Sequence, residues 1–181
     1  MNKEKTPHPY VRLARLTAER LLQGEPLPVA GSEVESDGKL WALERACFVS
    51  IKTLRGDLRG CIGTILPTQP GIDLEIIANA VAASTRDPRF RPMVAGELAD
   101  VVFSVDVLSL PEPVTDRNSL DPAAWGVVVS RGMQRGVLLP DLEGVDTVEA
   151  QLDIAARKAG LRGADTPGIL IERFSIDRYS E

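Results

Sequence analysis

Leu58-Arg59-Gly60-Cys61-Ile62-Gly63-Thr64-Ile65, following Ala46–Thr53 across the short link Leu54-Arg55-Gly56-Asp57, is the stretch that decides the fold. Two runs of β-forming residues joined by a glycine-bearing link predict a hairpin. Side chains alternate along an extended chain, so Leu58, Gly60, Ile62 and Thr64 share one face and Arg59, Cys61, Gly63 and Ile65 the other. Glycine inside a strand weakens it and marks a close approach by another backbone or a ligand. A guanidinium two residues from a thiol, beside two such glycines, makes this strand the first candidate for function.

Register follows from parity. A two-residue turn at Arg55-Gly56 or Gly56-Asp57 puts Ser50, Lys52, Arg59 and Cys61 on one face and Val49, Ile51, Leu58 and Ile62 on the other. A three-residue turn sets Val49 and Ile51 beside Arg59 and mixes the faces. A one-residue slip would expose every apolar side chain, so burial favours the two-residue turn. It also sends Cys47 and Cys61 to opposite faces, which leaves no disulfide between them.

Working outward, the apolar spacing from Tyr10 to Leu22 predicts an amphipathic helix stopped by Gly24. Pro26, Pro28, Gly31 and Gly38 mark a loop. Asp73 is the expected N-cap of a helix reaching about Ser84 that is apolar nearly all round and therefore buried. Asp87-Pro88-Arg89-Phe90-Arg91-Pro92 is a stiff loop. A strand is expected from Asp100 to Leu110, broken by Pro111 and Pro113. A second hairpin is expected from Trp125–Ser130 and Gly136–Leu139. Asp146-Thr147-Val148-Glu149 opens a helix that Gly160 stops, and Gly168–Tyr179 is the last strand. Hairpins and helices do not alternate as β-α-β units, so the fold class is α+β, a mostly antiparallel sheet flanked by helices.

The chain has 181 residues, enough for one domain, expected to span 1–181. A net charge of -5 and 4% aromatic residues speak against sequence-blind nucleic-acid binding. The N-terminal residues 1–10 lack a signal-peptide apolar run, and no stretch is long enough to span a bilayer, so the expected location is cytoplasmic. With one histidine and two cysteines the chain cannot assemble a zinc-finger set, and no acidic run has calcium-loop spacing. No metal and no cofactor are expected.

Each candidate residue has an ordinary reading beside its functional one. Cys61 is a catalytic nucleophile or redox thiol if Arg59 and Lys52 favour its thiolate, and a small buried residue otherwise. No histidine base accompanies it, since His8 lies between two prolines in an expected mobile tail and is read as idle. Arg59 and Lys52 suit a carboxylate or phosphate, or ordinary ion pairs on a solvated strand. The glycines at 60 and 63 favour a binding surface. Asp87 and Arg89 either serve a cleft with Phe90 or simply cap amides and pair with each other. The recurring Arg-Gly pairs are spread through folded elements and are read as turns. The candidate ligand-binding set is Ser50, Lys52, Arg59, Gly60, Cys61, Gly63, Asp87, Arg89 and Phe90.

Leu58-Arg59-Gly60-Cys61-Ile62-Gly63-Thr64 resembles the signature of the AMMECR domain family. Cys47-Phe48-Val49-Ser50-Ile51-Lys52 is similar to the preceding family strand. Asp87-Pro88-Arg89-Phe90 with Pro92-Met93 and Glu97-Leu98, the hairpin from Val127 to Pro140, and Glu172-Arg173-Phe174 match in order along nearly the whole chain. The resemblance implies an α+β protein with two unequal lobes around a cleft near the Leu58 strand. It does not place the smaller lobe, and it implies no particular reaction. It also implies association with Memo-type and radical S-adenosylmethionine proteins, the AmmeMemoRadiSam system. Two cysteines cannot ligate the radical enzyme's iron–sulfur cluster, so that chemistry belongs to another chain.

Three functions compete on this basis. The first is a cytosolic binding component that uses the Arg/Cys-lined cleft for an anionic small ligand or a partner's peptide. The second is a thiol-dependent enzyme using Cys61. The third is a regulatory or nucleic-acid adaptor, which the acidic balance disfavours.

Overall fold

The computed structural model describes residues 6–36 and 38–181. Half of the N-terminal run expected to lack a leader, Met1–Lys5, lies outside them. The chain divides into two compact units, one running to Val107 and including Asp177–Glu181, the other Leu108–Ile176. The class is α+β with antiparallel pairing, but in two four-stranded sheets rather than one.

In the first unit, helix α1 (Pro9–Gln23) starts at His8 and ends at Gly24 with φ +73°. His8 corrects the expectation of an idle tail. Its Nδ1 accepts the Tyr10 N–H at 3.3 Å, and its ring stacks on Tyr179 at 4.0 Å between centroids. A one-turn helix, α2 (Gly38–Trp41), interrupts the expected loop and buries Trp41. Strands β1 (Cys47–Thr53) and β2 (Leu58–Gly63) form the first hairpin. Helix α3 (Ile72–Thr85) covers them. Its N-cap is Gly71, which makes no side-chain cap bond, so Asp73 lies inside the first turn instead of capping it. Strand β3 (Val101–Leu108) pairs with β1 and sets Val105 against Val49 and Phe103 against Ile51. All four are buried with Leu13 and Ile76 in one core.

The second unit contains β4 (Glu112–Pro113), β5 (Gly126–Arg131), β6 (Gln134–Leu138), α4 (Val148–Lys158) and β7 (Leu170–Phe174). Thr147 caps α4 by accepting the Ala150 N–H at 3.2 Å, and Gly160 follows its end at φ +76°. The apolar residues of β5 and β6 pack on Leu152, Ala155 and Ala156. The last expected strand is two: β7 joins this sheet, whereas β8 (Ile176–Ser180) joins the sheet of the first unit in the order β2-β1-β3-β8.

Candidate functional site

The first hairpin contains the three-residue turn that parity disfavoured, and a bulge that cancels it. Thr53 pairs with Asp57 around Leu54-Arg55-Gly56, with Gly56 at φ +92°, the left-handed position such a turn requires. Lys52 then faces Leu58, but Ile51 faces Gly60, so Arg59 is an extra residue outside the ladder. Beyond it the expected register returns, with Val49 opposite Ile62 and Ser50 opposite Cys61. Leu58 is the casualty: it pairs with exposed Lys52 rather than joining the apolar face.

Cys61 is partly exposed, and the Ser50 hydroxyl donates to its Sγ at 3.1 Å. Its N–H and C=O both turn away from β1, as in the antiparallel pairs whose side chains come closest. The Asp87-Pro88-Arg89 loop meets them. Asp87 Oδ2 accepts the Cys61 N–H at 2.8 Å, and Arg89 Nη2 donates to the Cys61 carbonyl at 3.2 Å. Arg89 also donates to both oxygens of Asp87, Nε to Oδ1 at 3.0 Å and Nη2 to Oδ2 at 2.8 Å. The side-chain bonds from Arg89, with the amides of Cys61 and Arg89, hold the buried Asp87 carboxyl well below the usual carboxylate range despite the opposing effect of desolvation.

Arg59, free of the ladder, reaches sideways. Its Nε and Nη2 grip the two oxygens of Glu97 at 2.7 and 3.0 Å, and Nη2 also donates to the Arg91 carbonyl at 3.0 Å. The Arg59 bonds pull the Glu97 carboxyl below its ordinary pKa. Glu97 sits on a 3-10 turn (Ala95–Asp100) and accepts the Val94 N–H at 2.9 Å. The guanidinium carbons of Arg59 and Arg89 lie 5.9 and 5.6 Å from the centre of the Phe90 ring. Arg59, Arg89, Phe90, Arg91, Val94 and Glu97 line a depression of about 700 Å³, with Pro92.

The nine expected ligand-binding residues do not form one cluster. Arg59, Arg89 and Phe90 converge on this depression. Ser50 and Lys52 line a separate groove of about 160 Å³ with Ser104, Asp106 and Arg178. Cys61 lies between the two sets, touching Ser50 on one side and the Asp87–Arg89 pair on the other. The glycines serve packing. A Cβ on Gly60 would stand 2.3 Å from the Ala83 carbonyl oxygen of α3, and one on Gly63 would stand 2.3 Å from the Phe48 ring. The close approach expected at Gly60 is therefore that of the protein's own helix. Cys47 is fully buried, and burial pushes its thiol up to about 12. Neither cysteine is in a disulfide.

The site partners missed in the sequence are Arg91 and Glu97. Both fall within or beside segments singled out above, but nothing in local spacing pairs Arg59 with a residue 38 positions away. Among the described residues, no group of three or more His, Cys, Asp or Glu side chains is placed to hold a metal ion, and no helix is long and apolar enough to cross a membrane.

These features define an α+β protein whose edge hairpin is capped by an acid–arginine loop beside an arginine-lined depression. The AMMECR1 family model matches residues 11–179, and the chain belongs to that family. It is 47% identical over 176 residues to a protein of Thermotoga maritima, covering 95% of this chain and 97% of the relative. It is 45% identical to a protein of Clostridium acetobutylicum over 99% of its own length, but spans 37% of that longer relative. The crystal structure of uncharacterized protein PH0010 from Pyrococcus horikoshii superposes with a TM-score of 0.82 at 27% identity, covering 95% of this chain and 89% of that one.

Proposed function

We propose that this chain is a single-domain binding component whose arginine-lined depression receives an anionic group, carried by a small ligand or by a partner's peptide. The carrying observation is that the guanidinium groups of Arg59 and Arg89 flank the Phe90 ring in a depression that Arg91 also lines, in a chain of net charge -5. Arginine offers a planar fork suited to carboxylate and phosphate, and an aromatic ring beside it adds apolar contact. On this reading the protein works in the cytosol alongside Memo-type and radical S-adenosylmethionine proteins, the association that the family resemblance implies. Calorimetry and thermal shift against phosphates, carboxylates and those partner proteins test the reading. Saturable binding that weakens in Arg59→Ala is expected; no binding by the wild type, or undiminished binding by the variant, overturns it.

A second reading keeps Cys61 as a nucleophile or redox thiol, because it is partly exposed and bonded by Ser50. The chain's one histidine is occupied against Tyr179, so a base would have to come from the substrate or elsewhere. Alkylation rate against pH decides it: an apparent thiol pKa at or above about 8.5 removes the motive.

A further inference from the structure

The charges around the depression narrow the ligand class. Arg59, Arg89 and Arg91 face Glu97 within it, and Asp87 stands behind Arg89. Three guanidinium groups against two carboxylates leave one net positive charge. The two carboxylates are spent on different arginines: Glu97 closes the fork of Arg59, and Asp87 takes Nε and Nη2 of Arg89. What remains is Nη1 of Arg59, on a side chain only 17% exposed, Nη1 of Arg89, on one 54% exposed, and the guanidinium of Arg91, which donates no hydrogen bond among the described residues and acts on Glu97 through space. A dianion would overcompensate this site, and a neutral molecule would leave it charged; one negative charge balances it.

The rest of the lining is apolar. Phe90, Pro92 and Val94 complete the lining, and Val94 is 63% exposed. A space of this size matches small-ligand sites, which span roughly 300–1,000 Å³. Glu97 shows that the local geometry suits a carboxylate, since one already lies in plane with a guanidinium fork there.

Resting on the reading above, we infer that the depression takes an organic monocarboxylate joined to an apolar body. The carboxylate lies between Arg91 and the free edge of Arg89, and the body lies against Phe90, Pro92 and Val94. Phosphate-bearing ligands are disfavoured while Glu97 is ionised. The same chemistry is offered by a free acid and by the C-terminus of a peptide ending in an apolar residue.

The test uses the full chain at pH 7 and isothermal calorimetry. The probes are 4-phenylbutyrate, its amide, inorganic phosphate, and the peptide Gly-Gly-Leu-Phe as free acid and as C-terminal amide. At least one of the two acids is expected to bind ten times or more tighter than its own amide and than phosphate. Whichever acid binds tighter assigns the source as a free acid or a protein terminus. Arg91→Gln is expected to weaken that binding at least fivefold with an unchanged melting temperature, and Glu97→Gln to narrow the preference for carboxylate over phosphate. Phosphate that binds tighter than both acids, or an Arg91→Gln variant with full affinity, overturns the inference while leaving an anion site standing; amides that bind within twofold of the acids overturn both. Failure of every anion to bind overturns the anion site as well.

Discussion

Asp87 accepts the peptide N–H of Cys61 at 2.8 Å, and so occupies an amide that strand β2, at the edge of its sheet, would otherwise present for pairing. Arg89 occupies the carbonyl of the same residue. Exposed sheet edges invite another strand, and this pair of side chains closes the edge at its centre. Asp87→Ala should therefore act on stability before it acts on any ligand. A buried pair broken on one side costs about 3–5 kcal/mol, but Arg89 is 54% exposed and can rehydrate, so about 2 kcal/mol is expected. Urea unfolding measures it, and a change under about 0.5 kcal/mol contradicts the role.

The same carboxylate fixes the sign of an acid limb. Its pKa is lower folded than unfolded, chiefly through Arg89, so its contribution is complete above the unfolded value of about 3.9 and is lost as pH falls further. Glu97, depressed by Arg59, acts in the same direction. Stability should decline below about pH 4, and Asp87→Asn should flatten that decline. Thermal melts between pH 2.5 and 6 report it; parallel curves for variant and wild type would rule it out.

Gly60 and Gly136 perform one task in the two units. A Cβ at Gly136 would stand 1.9 Å from the Ala155 carbonyl of α4, as one at Gly60 would stand 2.3 Å from that of Ala83 in α3. Neither helix backbone can yield without losing its seat, so each alanine variant should cost about 2–3 kcal/mol, the upper range for overpacking. Gly96→Ala is the control, because nothing lies within 4 Å of its Cβ position and its φ is not left-handed. Melting temperatures of the three variants are compared, and a harmless Gly60→Ala would refute the packing role.

Glu75 is fully buried in α3 and accepts the N–H groups of Thr68 and Gln69 at 2.8 and 2.9 Å, as well as the hydroxyls of Thr64 and Thr68. It tethers the segment that follows β2. Glu75→Ala should cost about 3 kcal/mol, since several charge-assisted bonds are lost together and their donors are left unsatisfied. Hydrogen exchange should accelerate first at the Thr68 and Gln69 amides; protection retained there would dismiss the tether.

The two thiols should separate cleanly. Iodoacetamide at pH 8 is expected to label partly exposed Cys61 in the native state and to reach Cys47 only on unfolding, because Cys47 is sealed and its pKa is pushed up to about 12. Mass spectrometry of the labelled peptides reads the result, and equal rates at both positions would contradict the burial described.

The sequence disclosed much of this architecture where one period governs. Alternation across β1 and β2 placed Ser50 opposite Cys61, and glycine stops located the ends of α1 and α4. The turn misled because two departures of one residue, Leu54-Arg55-Gly56 and the bulge at Arg59, cancel in parity. His8 and Asp73 were misread because capping depends on which backbone N–H stands nearby, and that is settled by packing. The division of Ser50 and Lys52 from Arg59 and Arg89 arises from the same bulge. It frees Arg59 for Glu97, a tertiary partner with no local trace.

Arg59 thus belongs to the hairpin by sequence but owes nothing to its pairing. The sheet sets no demand on which side chain stands there, whereas its neighbours Gly60 and Cys61 are each bound to one task. In a strand built this way, the side chain at the rim can be exchanged without disturbing the ladder that folds it.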